Sequence, residues 1–89
     1  MRSYTVRIDD RANRQLRKLD KVQARLIANW IDLHLAGCDD PRGWGRALSG
    51  NLKGYWRYRV GSYRLLAQIR DDIVTIIIID IDHRSRIYR

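Results

Sequence analysis

The feature that most constrains the fold is a nearly unbroken run of branched apolar residues from Ile73 to Ile79. Side chains of a strand alternate between the two faces of a sheet, so a run without alternation predicts a strand buried on both faces. Asp80 and Asp82 follow the run and keep it well short of the ~20 apolar residues that cross a bilayer. We therefore expect a central strand of a sheet at this position, and no membrane association.

The N-terminal part of the chain predicts one strand followed by two helices. Apolar and polar residues alternate over 3–8, as they do in a strand with one buried face. Asp9 or Asp10 is expected to cap a first helix, and Asp20 a second helix over roughly 21–36. The expected buried stripe of the second helix comprises Val22, Leu26, Trp30 and Leu33, widened by Ile27 and Ile31.

A strand pair is predicted on either side of a tight turn at 60–62. The flanks are rich in aromatic and branched residues, and Gly61 tolerates the positive φ that such turns use. Alternation places Arg57 and Arg59 on one face of the first strand, and Arg64 joins them if the register of the turn allows it. The opposite, apolar face receives Trp56, Tyr58 and Val60.

This hairpin concentrates positive charge without any acidic residue to balance it. Guanidinium groups held side by side on a sheet repel one another unless an anion lies between them, and their planar forks match phosphate oxygens. The pattern therefore predicts a phosphate-binding site, and its basic residues are Lys53, Arg57, Arg59 and Arg64.

The order of elements is strand, two helices and then three consecutive strands, separated by a loop over 38–45 and a connector over 46–54. This order predicts an α+β fold with an N-terminal strand and a helical hairpin packed on one face of an antiparallel sheet of about four strands. With 89 residues, the chain is expected to form one domain over 1–89.

The overall charge points to an anionic partner. A formal net charge of +8 and a pI near 10.4 favour nucleic acid, a membrane surface or an acidic protein. Cys38 has no second cysteine with which to form a disulfide, and neither it nor His34 belongs to a ligand set, so no metal or cofactor is predicted. The N-terminus lacks the apolar core of a signal peptide, which favours a cytoplasmic protein.

Two segments resemble a known family. They are LKGYWRYRVGSYRL at 52–65 and HRSRIY at 83–88, and a hydrophobic strand separates them. In this arrangement they resemble the RelE toxins of bacterial and archaeal toxin–antitoxin pairs, within the wider RelE/ParE superfamily. The order and length of the elements resemble the family over the whole chain, whereas the specific motifs lie within 48–89.

The resemblance implies a ribosome-dependent endoribonuclease that cuts mRNA without a metal. The 2′-hydroxyl attacks the adjacent phosphate and leaves a 2′,3′-cyclic phosphate and a 5′-hydroxyl. Arg57 and Arg59 match two basic residues of the family that are often lysines, and Arg64 matches the arginine that stabilises the transition state. Arg84 matches an arginine after the central strand, and Tyr88 a tyrosine that contacts a base. The implied catalytic residues are Arg64, His83, Arg84 and Tyr88, and the implied RNA-binding residues are Lys53, Arg57, Arg59 and Arg86.

The group that accepts the proton departs from the family pattern. Arginine does not lose its proton near neutral pH, so a lysine's role as a base does not pass to Arg57 or Arg59. Histidine is the side chain that titrates nearest neutrality, which makes His83 the first candidate and Tyr88 the second. Alternatively, positioning and charge stabilisation supply most of the rate.

The sequence also allows simpler roles for these arginines and other functions for the chain. Arg57 and Arg59 are also compatible with a solvated sheet face, and Arg64 with an ion pair to Asp71, Asp72 or Asp80. At the level of function, the alternatives are a ParE-like toxin that inhibits DNA gyrase by binding, and a degenerate member that binds only its antitoxin.

The expected partners follow from the resemblance and the charge. They are the ribosome with its mRNA, and a cognate acidic, RelB-like antitoxin that folds as it binds across the helical hairpin or a sheet edge. The toxin–antitoxin complex is expected to bind operator DNA through the antitoxin.

Overall fold

Two helices lie against one mixed sheet in the computed structural model, which describes residues 2–83. Helix α1 contacts β5 and helix α2 contacts β3, so the predicted α+β fold with a helical hairpin on the sheet is confirmed. The strands lie in the order β1-β5-β4-β3-β2. The element bounds are β1 Thr5–Ile8, α1 Asp10–Lys18, α2 Lys21–His34, β2 Gly45–Ala47, β3 Trp56–Val60, β4 Tyr63–Arg70 and β5 Thr75–His83, with short 3-10 turns at Gly50–Leu52 and Asp71–Ile73.

The sheet differs from the prediction in its strand count and in one pairing. It has five strands among the described residues, where about four were expected. β3, β4 and β5 form the predicted antiparallel meander, but β1 pairs with β5 in parallel. A parallel pairing needs a long crossover, which the helical hairpin provides. The additional strand β2 pairs with β3. It lies where the sequence predicted the end of a loop and the start of a connector.

Asp9 and Asp20 begin the two helices, as the sequence predicts. Asp9 Oδ1 accepts the backbone N–H of Ala12 at 2.9 Å, which makes Asp9, rather than Asp10, the cap of α1. Asp20 Oδ1 accepts the backbone N–H of Gln23 at 2.9 Å at the start of α2. Each carboxylate satisfies an amide that has no partner within its helix.

The buried stripe predicted for α2 is confirmed at Ile27 and Ile31 but wrong at three other positions. Val22 is 74% exposed and Leu33 is 79% exposed, and Leu26 is exposed as well. The residues that α2 buries most fully are Ile27, Ile31 and, just after the helix, Leu35. Both sets recur at helical spacing, so periodicity alone did not separate the face that meets the sheet from the face that meets solvent. Trp30 lies between the two faces, half-buried, with its ring centroid 5.7 Å from that of Tyr58.

The isoleucine-rich strand β5 is internal, between β1 and β4, as expected. Ile76 and Ile78 are fully buried, but Ile77 and Ile79 are only half-buried. Burial on both faces is therefore incomplete, because the two helices cover one face of the sheet. Ile73 is also outside the strand, in the exposed 3-10 turn that precedes it.

A bulge interrupts β5 and reverses its alternation. Leu66 pairs with Asp80 and Ala67 pairs with Ile78, so Ile79 is an extra residue with no partner on β4. Ile78 and Ile81 consequently share the buried face. Neither helix within 2–83 is long and apolar enough to cross a membrane.

Candidate functional site

The turn at Gly61 sets the register of the basic hairpin. Gly61 has φ +60°, a left-handed conformation that glycine adopts without steric cost. Val60 pairs with Tyr63 and Arg59 pairs with Arg64 across the two strands. Directly opposed residues of an antiparallel pair project from the same face, so Arg64 does join Arg59.

A third pairing extends this row of charges to the sheet edge. Arg46 of β2 lies opposite Arg57 of β3, which places four arginines on the face away from the helices. Tyr58 and Leu65, the neighbours of these arginines in sequence, are fully buried on the helix side. We call Arg46, Arg57, Arg59 and Arg64 the arginine face. Sequence reasoning missed Arg46 because β2 was not predicted. The residues before Arg46, Gly43-Trp44-Gly45, are typical of a loop and gave no signal for a strand.

The four residues of the arginine face differ in solvent exposure. Arg46 and Arg59 are exposed and Arg57 is half-buried, whereas Arg64 is only 6% exposed. Charges interact more strongly where water is excluded. An anion that reached Arg64 would therefore feel a stronger attraction than one held only by the outer arginines.

The acids proposed as simple partners of Arg64 are engaged elsewhere. Asp72 binds Arg70 with an N–O distance of 2.8 Å, and Asp80 lies 3.5 Å from Arg11. Asp71 binds Arg42 through both carboxylate oxygens, at 3.1 and 2.8 Å. The carboxylate that the register places opposite Arg64 is instead Asp82, which sequence reasoning did not assign to this face.

The same bulge that brings Asp82 to the arginine face takes His83 away from it. His83 pairs with Tyr63, which pairs with Val60, a residue buried on the helix side. The ring of Tyr63 meets the ring of His83 edge-on, with centroids 5.4 Å apart. His83 lines a cavity of about 490 Å³ together with its neighbour Asp82 and with Gln15 and Lys18 of α1. By strand register, His83 therefore lies on the face of the sheet opposite to that of Arg59 and Arg64.

Of the remaining predicted site residues, Lys53 is within the range that the structure describes. Lys53 is exposed in the turn between the 3-10 segment Gly50–Leu52 and β3. Three other residues predicted to belong to the site lie outside the described range: Arg84, Arg86 and Tyr88.

A charged cluster holds the loop that leads into β2. Asp71 accepts hydrogen bonds from Arg42 and from the Tyr4 hydroxyl, the latter at 2.6 Å. These donors stabilise the carboxylate and lower the pKa of Asp71 to about 2. Arg42 also lies over the Trp56 ring, 5.8 Å from its centroid. The cluster connects the loop to the turn between β4 and β5, and so helps to position Arg46.

Beside β2, the arginine face borders a groove of about 410 Å³. The exposed indole of Trp44 contributes to its wall, and no acidic residue lies among the described lining residues. These residues are Gly43, Trp44, Gly45, Arg46, Arg57 and Arg59.

Comparisons with known proteins agree with this architecture. The family described as the ParE toxin of the type II toxin–antitoxin system parDE matches residues 6–88. Toxin RelG of Mycobacterium tuberculosis is 37% identical over 87 residues, which cover 97% of each chain.

Solved structures extend the comparison. The chain matches a structure of the RelBE2 toxin–antitoxin complex of M. tuberculosis with a TM-score of 0.84 and 34% identity, over 92% of this chain and 99% of that one. The intact E. coli RelBE complex matches with a TM-score of 0.71 over 91% and 96%, and at 22% identity it supports the fold alone. The chain thus belongs to the RelE/ParE superfamily of toxins from type II toxin–antitoxin systems.

Proposed function

We propose that this toxin is a RelE-type, ribosome-dependent endoribonuclease that blocks translation in the cytoplasm by cutting mRNA. The observation that carries the proposal is the arginine face, in which Arg59 and Arg64 lie directly opposite each other and Arg57 lies nearby on the same strand. Like charges opposed across strands destabilise a sheet, and a bound phosphate removes that repulsion.

The reaction needs charge stabilisation more than it needs a covalent catalyst. The 2′-oxygen forms a bond to phosphorus while the bond to the 5′-oxygen breaks, which leaves a 2′,3′-cyclic phosphate and a 5′-hydroxyl. Arg57 and Arg59 hold the RNA backbone, and Arg64 contacts the scissile phosphate, where negative charge develops. Its low exposure makes Arg64 the most effective of the three, because charges interact more strongly away from water.

The proton of the 2′-hydroxyl needs an acceptor other than arginine. His83 faces the helix side, so we assign it no direct part in proton transfer. Asp82 is opposite Arg64 on the arginine face and becomes a candidate for this role. Arg84 and Tyr88 lie outside the described residues, and the catalytic roles implied for them remain part of the proposal.

The partner of the free toxin is an acidic, RelB-like antitoxin. Val22, Leu26 and Leu33 leave an apolar stripe exposed along α2, next to the basic residues Lys21 and Arg25. Such a surface suits an acidic amphipathic segment that folds as it binds, and the net charge of +8 favours its approach. The resulting complex binds operator DNA through the antitoxin. Toxin–antitoxin affinity that did not fall with added salt would argue against the electrostatic part.

The arginine face is tested by the cleavage rate of ribosome-bound mRNA. Arg64→Ala should lower the rate on the order of 10²–10³-fold, the usual effect of losing a donor to a developing oxyanion. The matched control is Arg70→Ala at the far end of β4, where the side chain binds Asp72 and lies off the site. Melting temperature and antitoxin binding serve as folding controls. A folded Arg64→Ala protein that cuts at the wild-type rate would contradict the site assignment.

A second candidate function has its own support, since the matching family model describes ParE toxins. On this alternative the toxin binds and inhibits DNA gyrase without cutting RNA. Primer-extension mapping of mRNA after induced expression separates the two. Codon-phased cuts support the ribonuclease, whereas intact mRNA with stalled replication supports gyrase inhibition. Intact mRNA with normal replication would identify a degenerate member that binds only its antitoxin.

A further inference from the structure

Trp44 is an exposed aromatic residue held in a fixed position. Trp44 is 53% exposed, yet the ring of His34 packs edge-on against its indole, with ring centroids 4.4 Å apart. His34 in turn lies 4.7 Å from Trp30, and Trp30 lies 5.7 Å from the fully buried Tyr58. This series of ring contacts connects the indole to the core. Because the indole is already ordered, a ligand that stacks on it loses little additional conformational entropy.

The backbone next to Trp44 explains why the indole lies so close to the arginines. A Cβ at Gly45 would lie 2.4 Å from the carbonyl oxygen of Arg57, so no other residue fits there without moving a strand. This close approach seats the start of β2 tightly against β3. Trp44 is thereby placed at the sheet edge, beside the groove that Arg46, Arg57 and Arg59 line.

The groove is positively charged and lacks any acidic side chain among its described lining residues. Within 2–83, neither Arg46 nor Arg59 forms an ion pair, whereas Arg11, Arg42 and Arg70 do. A basic groove with an exposed aromatic ring is the combination that binds single-stranded nucleic acid. Phosphates follow the cations, and an unpaired base stacks on the ring.

We propose that this groove is a nucleotide-binding subsite for single-stranded RNA, in which a base stacks on Trp44 and its phosphate binds Arg46 and Arg59. The inference rests on the proposed function and deepens it, because it adds a subsite beside the scissile phosphate. Bases within a duplex are already stacked on their neighbours, so the subsite selects single strands. Stacking tolerates any base, and the subsite therefore adds affinity rather than sequence preference.

The test is the affinity of the purified protein for a fluorescently labelled single-stranded oligouridine RNA, measured by anisotropy. Trp44→Ala should weaken binding by about 5- to 100-fold, the usual effect of removing a stacking platform. Trp44→Phe should restore most of the affinity, because a smaller aromatic ring still stacks. Ile73→Ala is the matched control, since Ile73 is an apolar residue of similar exposure, 50%, in the 3-10 turn before β5 and outside the groove. Melting temperatures should be similar for all four proteins.

Three results would overturn the subsite. One is wild-type affinity in folded Trp44→Ala, and another is equal binding of a matched duplex with the same dependence on Trp44. The third is a Trp44→Ala protein that loses affinity for the antitoxin but not for RNA, which would assign the groove to the antitoxin.

The proposed function is tested separately, by cleavage of ribosome-bound mRNA. A wild-type protein that does not cut mRNA contradicts the ribonuclease, while the oligonucleotide measurement still decides the subsite. Conversely, a protein that cuts mRNA but binds oligouridine independently of Trp44 retains the ribonuclease and loses the subsite.

Discussion

The two faces of the β3–β4 hairpin have opposite characters although their residues alternate along the same strands. Tyr58 and Leu65 face the helices and are fully buried, whereas Arg57, Arg59 and Arg64 face the other way. Each arginine of the hairpin is thus bonded to a residue that the core holds in place. A shift of register by one residue would exchange the faces, so the buried residues determine where the charges lie. Packing on one face therefore fixes the positions of the charges on the other.

The largest expected effect comes from breaking the buried face. Leu65→Ala should lower the free energy of unfolding by about 2–5 kcal/mol, because the surrounding core fills such a cavity only in part. Its neighbour Leu66 is half-buried on the opposite face and provides the control. Leu66→Ala should cost clearly less. Chemical denaturation of both variants measures the difference, and equal losses would mean that the two faces are not distinct.

A smaller effect is expected at the boundary between the helices and the sheet. A fully enclosed tryptophan would cost about 3–5 kcal/mol on replacement by alanine, but Trp30 is half-buried, so we expect about 2 kcal/mol for Trp30→Ala. Leu33→Ala, on the exposed side of the same helix, should change the stability by less than about 0.5 kcal/mol. If Leu33→Ala proved the more costly of the two in urea denaturation, the orientation of α2 would be wrong.

The loop that supports the edge of the arginine face should respond to pH. The pKa of Asp71 falls from 3.8 to about 2 in the folded protein, so its carboxylate stabilises the fold above pH 4. That contribution is lost as the pH falls through about 2. Asp71→Asn should therefore lower the melting temperature at pH 7, by less than Trp30→Ala does, and the difference from wild type should shrink as the pH approaches 2. A difference that stayed constant between pH 7 and pH 2 would contradict the ion pair with Arg42.

The smallest effect is expected on the charged face itself, and it has the opposite sign. Arg59→Gln removes one of two like charges directly opposed across β3 and β4, so stability at low salt should rise by about 0.2–1 kcal/mol. The gain should fade with added salt, while the affinity for RNA falls. Arg25→Gln on α2 is the control for the general effect of a lower net charge. An equal gain from Arg25→Gln would mean that the opposed arginines do not repel each other.

Local signals in the sequence predicted most of the fold. The caps at Asp9 and Asp20 and the turn at Gly61 depend on neighbouring residues, and all three are confirmed. The paired arginines Arg59 and Arg64 followed from the same local alternation once the turn set the register.

Features that depend on distant parts of the chain were not predictable in this way. The bulge at Ile79 reverses the alternation of β5, and without it His83 would share a face with Ile77 rather than with Ile78. The strand β2 exists because Gly45 fits against a strand that is distant in sequence. Composition and periodicity describe how polar a segment is, but not which partner it meets.

The polar contacts of Gln15 have a consequence for self-association. β1 covers the outer edge of β5 only as far as Ile78, and beyond that point Gln15 Oε1 accepts the backbone N–H of Ile81 at 2.7 Å. The side-chain Nε2 of Gln15 donates to Asp80 Oδ1 at 2.6 Å. An open strand edge is a template on which a second chain can add its own strand, and a side chain that occupies the edge amides removes that template. One glutamine thus protects the uncovered end of the isoleucine-rich strand against pairing with a second chain.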